Sequence, residues 1–109
     1  MIFFGKRKKE REDKRIRDEL IGRLSGKIVK YCSERAEDGS GDIIIGKDGS
    51  LTIREGELIV LASSDIVFRC DIEGLLASEL LSRDGVILEA YDKDAGRHRK
   101  IIAYYKYYR

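Results

Sequence analysis

At 109 residues, 42% hydrophobic and 39% charged with a net charge of +2, the chain is sized for one domain with a modest core. It is too rich in aliphatic residues to remain disordered. No stretch approaches the ~18 apolar residues that a membrane-spanning helix needs, and one histidine with two distant cysteines offers no His/Cys metal spacing.

The chain opens on Met1-Ile2-Phe3-Phe4, followed by the basic cluster Lys6, Arg7, Lys8 and Lys9. A secretory signal has the reverse order, charges before a longer apolar run, so a cytoplasmic protein with reduced Cys32 and Cys70 is expected. Residues 1–25 carry nine Lys/Arg against five Asp/Glu, while the remainder carries thirteen against fifteen. The basic character therefore belongs to the N-terminal segment alone. Aromatic anchors beside a polybasic run suit an anionic membrane surface, and a basic helix suits nucleic-acid phosphates. Glu10, Glu12 and Asp13 dilute that field, and the alternating signs also fit a solvated helix face.

From Lys6 to about Ala36 there is no proline, and Ile16, Leu20, Leu24 and Ile28 recur every fourth residue, with Tyr31 and Cys32 extending the stripe. This spacing predicts one helical face. Pairs such as Glu10 with Lys14 and Glu19 with Arg23 support the solvent side. Gly22 and Gly26 interrupt the pattern, at a bend or break near Ser25-Gly26 or at a close approach to another element. The stripe predicts packing on a sheet, or on a second copy of the chain as a homo-oligomer. The polar, glycine-rich run 36–41 reads as a helix stop and loop.

Beyond residue 41 the pattern changes to strands. Ile43-Ile44-Ile45 is a short β-branched run. Asp48-Gly49 reads as a tight hairpin turn before the alternating strand Leu51-Thr52-Ile53-Arg54. Glu55-Gly56 and Ser63-Ser64-Asp65 turn the chain into 58–61 and 66–70, an antiparallel meander. Residues 71–82 fit a helix capped by Asp71 or a bent strand with Gly74 at a bulge, and the hairpin that follows favours the strand. Val86–Tyr91 and Ile101–Tyr105 complete the set.

Three motifs invite chemistry. Gly41 to Lys47 has P-loop spacing, but Ile43, Ile44 and Ile45 make a strand where open amides are needed, and Asp48 replaces the magnesium-binding hydroxyl. Asp92, Asp94 and Gly96 begin like a calcium loop, yet Arg97 and Ala103 occupy the sixth and twelfth positions. His98 stands between Arg97 and Arg99 without an orienting carboxylate in sequence. Each is better read as a structural turn or strand residue, so no catalytic residue, metal ligand or cofactor is assigned.

Two surfaces remain as binding candidates. One is Phe3, Phe4, Lys6, Arg7, Lys8 and Lys9. The other is the tyrosine-rich end, Tyr104, Tyr105, Tyr107 and Tyr108, where alternation sends Tyr105 and Tyr107 to one face and Tyr104 and Tyr108 to the other. Tyrosine offers large contact area at little entropic cost.

The segments Gly46–Leu51, Ile66–Cys70, Leu81–Leu88 and Ile102–Tyr105 resemble small bacterial proteins whose repeated hairpins form a pleckstrin-homology-like (PH-like) β-domain. The resemblance covers about residues 41–109. It implies a binding or scaffolding module. The chain shows no C-terminal helix of the kind that plugs such barrels, so either the N-terminal helix fills that role or the β-half is a different roll. The expected architecture is α+β, a charged helical arm over 1–36 and an antiparallel β-domain over 41–109. The expected function is non-enzymatic binding of another protein. The alternative is peripheral binding to membrane or nucleic acid through the basic arm.

Overall fold

The computed structural model describes residues 15, 18–36 and 38–106. Among these, residues 15 and 18–24 belong to a helix, α1. Seven strands follow: β1 (Ile28–Arg35), β2 (Asp42–Arg54), β3 (Glu57–Ala62), β4 (Asp65–Asp71), β5 (Leu76–Glu79), β6 (Gly85–Asp92) and β7 (Arg97–Tyr105). They form one antiparallel sheet in the order β4-β3-β2-β1-β7-β6-β5, with β4 and β5 as its edges. The α+β meander is as the sequence predicts, and the sheet is not closed into a barrel.

The helix ends earlier than the four-residue repeat implies. Gly26 adopts φ 84°, the left-handed conformation that stops a helix without a Cβ penalty, and Lys27 N–H donates to Leu24 O at 3.0 Å. The next eight residues, IVKYCSER, form β1 rather than more helix. Val, Ile and Tyr suit a strand, and β1 lies at the centre of the sheet between β2 and β7. The predicted stripe is thereby divided. Leu20, Ile21 and Leu24 are buried in the core, Ile28 is 48% exposed on β1, and Ile16 lies outside the described residues. Leu20, Leu24 and Ile28 do not share one helical face.

The second departure is at Asp48-Gly49. No hairpin forms there, and residues 42–54 run as one thirteen-residue strand. Asp48 takes φ 50° inside β2, and the ladder with β1 keeps its register through it, shifting only between Cys32 and Ser33. Gly49 then crosses so close to β3 that a Cβ on it would lie 1.6 Å from Leu61 O. Ser63 ties down the residue before Asp48, donating its N–H to Lys47 O at 2.6 Å and accepting Lys47 N–H on Oγ at 3.0 Å. Within residues 71–82, Ile72–Leu75 turns, with Gly74 at φ 88°, and the short strand Leu76–Glu79 pairs with β6; no helix forms there.

The sheet curls around a core of Val29, Leu51, Leu58, Val60, Phe68, Leu75, Val86, Leu88 and Ile101, all fully buried. Helix α1 adds Leu20, Ile21 and Leu24 to it. The curl brings β4 against the β6–β7 hairpin, where Lys93 N–H donates to Arg69 O at 2.8 Å.

Candidate functional site

Alternation along β7 sorts its side chains. Ile101, Ala103 and Tyr105 join the core cluster, which leaves His98, Lys100, Ile102 and Tyr104 on the outer face of the sheet. Cross-strand register carries that face onto the neighbours. Ile102 pairs with Ile87 of β6 and Ser33 of β1, and Ser33 pairs with Ile44 of β2. The result is an in-register row Ile87–Ile102–Ser33–Ile44 on the side away from the core.

Beside this row lie two tyrosines. A register shift between Val29 and Tyr31 turns Tyr31 outward, although Val29 and Cys32 both face the core. Tyr31 then stacks on its partner Tyr104, with ring centroids 4.5 Å apart at 24°. Burial pushes the Tyr104 hydroxyl above its ordinary range, with the neighbouring Tyr31 adding to the shift. The candidate tyrosines therefore separate. Tyr104 is half-buried on the outer face, while Tyr105 is buried in the core under the Lys27 ammonium, 5.1 Å from its ring centre. Tyr107 and Tyr108 lie outside the described residues, as do Phe3, Phe4, Lys6, Arg7, Lys8 and Lys9.

Exposure along the row is uneven. Ile44 is 55% exposed, whereas Ile102 is 1% exposed. Ser33 is buried too, and its Oγ has no hydrogen-bond partner. A buried hydroxyl without a partner is costly.

Where β1 parts from β7 lies a groove of about 380 Å³ lined by Glu34, Arg35, Gly39, Glu89, Arg97 and Lys100, with His98 and Arg99 beside them; Arg97 and Arg99 enter it from the side of β7 that Ile101 occupies, His98 and Lys100 from the outer side. The last β7 residue paired to β1 is Ile101, so residues 97–100 are bordered on that side by the loop through Ala36 and Gly39. The floor is an ion-pair network. Arg99 grips Glu34 with Nε at 3.0 Å and Nη2 at 2.7 Å, and donates Nη1 to Asp92 Oδ2 at 2.6 Å. Hydrogen bonds from Arg99 hold the Glu34 carboxyl below the ordinary carboxylate range, and Glu34 in turn raises Arg99. Arg97 adds an ion pair to Glu34 at 3.1 Å.

The motifs that suggested chemistry have structural places. Gly41–Lys47 lies along β2 and its approach. Asp92 is 1% exposed and organises its turn by accepting the N–H groups of Asp94 at 2.9 Å and Ala95 at 3.3 Å. His98 is exposed, with its ring edge-on to Tyr91 at 5.9 Å. Among the described residues no three His, Cys, Asp or Glu side chains cluster as metal ligands, and no helix is long and apolar enough to cross a membrane.

Sequence reasoning missed Tyr31, Glu34, Arg99 and Asp92 as neighbours. The alternation of Arg97 and Arg99 on one strand face was readable, but Glu34 lies 65 residues from Arg99 in sequence. No family model, curated protein or solved structure matches the chain.

Proposed function

We propose that this protein is a non-enzymatic interaction module that binds another protein through the outer face of its sheet, around Tyr31, Tyr104 and Ile44. One observation carries the reading: isoleucines from three strands stand in register on the face opposite the core, beside a stacked tyrosine pair. The solvent face of an antiparallel sheet is ordinarily polar, and apolar patches with aromatic anchors mark partner sites. The PH-like resemblance belongs to this proposal, and the burial of Leu20, Ile21 and Leu24 of α1 on the core supports it.

The test is site-specific photo-crosslinking from position 44 in lysate of the source cells, with Ile44→Asp and Tyr104→Asp as competitors for the captured partner. The expected result is one dominant protein adduct, for which both variants compete at least about tenfold less well than the unsubstituted chain. Equal competition by the variants, with their circular dichroism unchanged, sinks the reading.

A second reading rests on the charge excess of residues 1–25. In it, Phe3, Phe4 and Lys6–Lys9 attach the protein to an anionic membrane or nucleic acid. Co-sedimentation with phosphatidylserine vesicles, and retention on single-stranded RNA, should then weaken steeply between low and high salt. A full chain that binds neither at low salt removes this reading.

A further inference from the structure

We propose that the groove between the end of β1 and the start of β7 is a binding site for an oxyanion group, a carboxylate or a phosphate, held by Arg97, Lys100 and Arg35. The argument is one of uncommitted hydrogen-bonding capacity. Glu34 is saturated: Arg99 engages both of its oxygens and Arg97 adds a contact at 3.1 Å. Asp92 lies behind Arg99 and is fully engaged with it and with its own turn. Arg35 contributes its Nε to Asp42 at 3.3 Å and keeps its terminal nitrogens. Arg97, half-exposed, keeps every donor except the one facing Glu34. Among the described residues the Lys100 side chain has no ion pair or hydrogen bond, although its cross-strand partner is Glu89.

The lining therefore offers two guanidinium groups and an ammonium as donors, against one uncommitted carboxylate, Glu89. Guanidinium forks and ammonium groups recognise carboxylate and phosphate oxygens by charge-assisted hydrogen bonds. Arg97 is tethered to the saturated Glu34 by its ion pair at 3.1 Å, so the ligand meets a partly organised site. A groove of about 380 Å³ admits a single anionic group with a small body attached.

The experiment follows backbone amide shifts of the full ¹⁵N-labelled chain on titration with inorganic phosphate and, separately, with acetate. Ionic strength is held constant with sodium chloride. The expected result is saturable movement of Gly39, His98 and Lys100. Saturation by phosphate alone assigns a phosphate ester, and saturation by acetate assigns a carboxylate. Lys100→Gln or Arg97→Gln should weaken binding about fivefold or more. Glu89→Gln should tighten it about twofold, because it removes the one uncommitted acceptor facing the anion. Shifts that sodium chloride reproduces, or saturation that persists unchanged in the folded Arg97→Gln/Lys100→Gln double variant, overturn the proposal.

Discussion

The Arg99 guanidinium reaches from β7 to β4 and donates Nη1–H to the Val67 carbonyl oxygen at 2.8 Å. Val67 is the residue skipped between the Val60↔Phe68 and Leu61↔Ile66 pairs of the β3–β4 ladder. A bulged residue leaves its backbone groups unpaired, and β4 is an edge strand with no neighbour to take them. One arginine side chain thus does what a further strand would do, while the same fork binds Glu34 and Asp92. Lys93 N–H takes the next outward carbonyl, that of Arg69, and Lys93 Nζ bridges Glu57 and Asp71 at 2.5 and 3.1 Å. The β4 edge is covered by side chains and a hairpin rather than by closure of the sheet.

Removing this fork strands two carboxylates. The Arg99 and Asp92 side chains are 11% and 2% exposed, so Arg99→Ala should cost about 3 kcal/mol of stability, as losing one partner of a buried pair does. Arg99→Lys should recover only part of it, since an ammonium cannot span Glu34, Asp92 and Val67 O together. Urea unfolding of the three proteins measures both, and equal midpoints for all would show the network to be inert.

The same network predicts an acid limb. Glu34 titrates below its ordinary value of 4.5, chiefly through its hydrogen bond from Arg99. Between 4.5 and that lower value the unfolded chain binds a proton that the folded chain does not, so stability falls as pH is lowered through this window. The contribution is fully present above 4.5. The slope of unfolding free energy against pH below 4.5 should be shallower in Glu34→Gln, and an unchanged slope would assign the limb to other carboxylates.

Burial should leave both cysteines unreactive in the folded protein. Desolvation pushes Cys32 up to about 11 and Cys70, with help from nearby carboxylates, to about 12. The reactive species is the thiolate, so neither should react with a thiol-titrating disulfide reagent at pH 8 in the folded protein. Both should react at once in urea. Rapid labelling under native conditions would mean that the core opens around β1 or β4.

Two glycines should respond oppositely to alanine. A Cβ on Gly49 meets Leu61 O at 1.6 Å and Leu61 C at 2.4 Å. That clash with backbone forces β2 and β3 apart, and Gly49→Ala should cost at least about 3 kcal/mol. Gly22, on the exposed side of α1, has nothing within 4 Å of the corresponding position. Gly22→Ala should stabilise by about 1 kcal/mol through helix propensity. Thermal unfolding separates the two cases.

Ser33→Ala removes a buried, unpartnered hydroxyl and should raise stability of the isolated protein by about 1 kcal/mol. A fall in stability would mean that the hydroxyl has a solvent or protein partner in solution.

By itself the sequence determined the class and most of the strands. Leu58–Leu61, Ile66–Cys70, Val86–Tyr91 and Ile101–Tyr105 carry β-branched runs between turn residues, and each lies within β3, β4, β6 or β7. The helix stop was written in Gly26, but what followed was not. Ile28 falls four residues after Leu24 and so continues a helical stripe, while the bulge between Val29 and Tyr31 erases the two-residue alternation that would have announced β1. Asp48-Gly49 carries the same local signal whether it turns a hairpin or lies inside a strand. Only the approach of Leu61 to Gly49 decides between them. The Glu34–Arg99–Asp92 network and the Tyr31–Tyr104 stack join residues from distant parts of the chain. Register and curl of the sheet place them together, and local propensity carries no information about either.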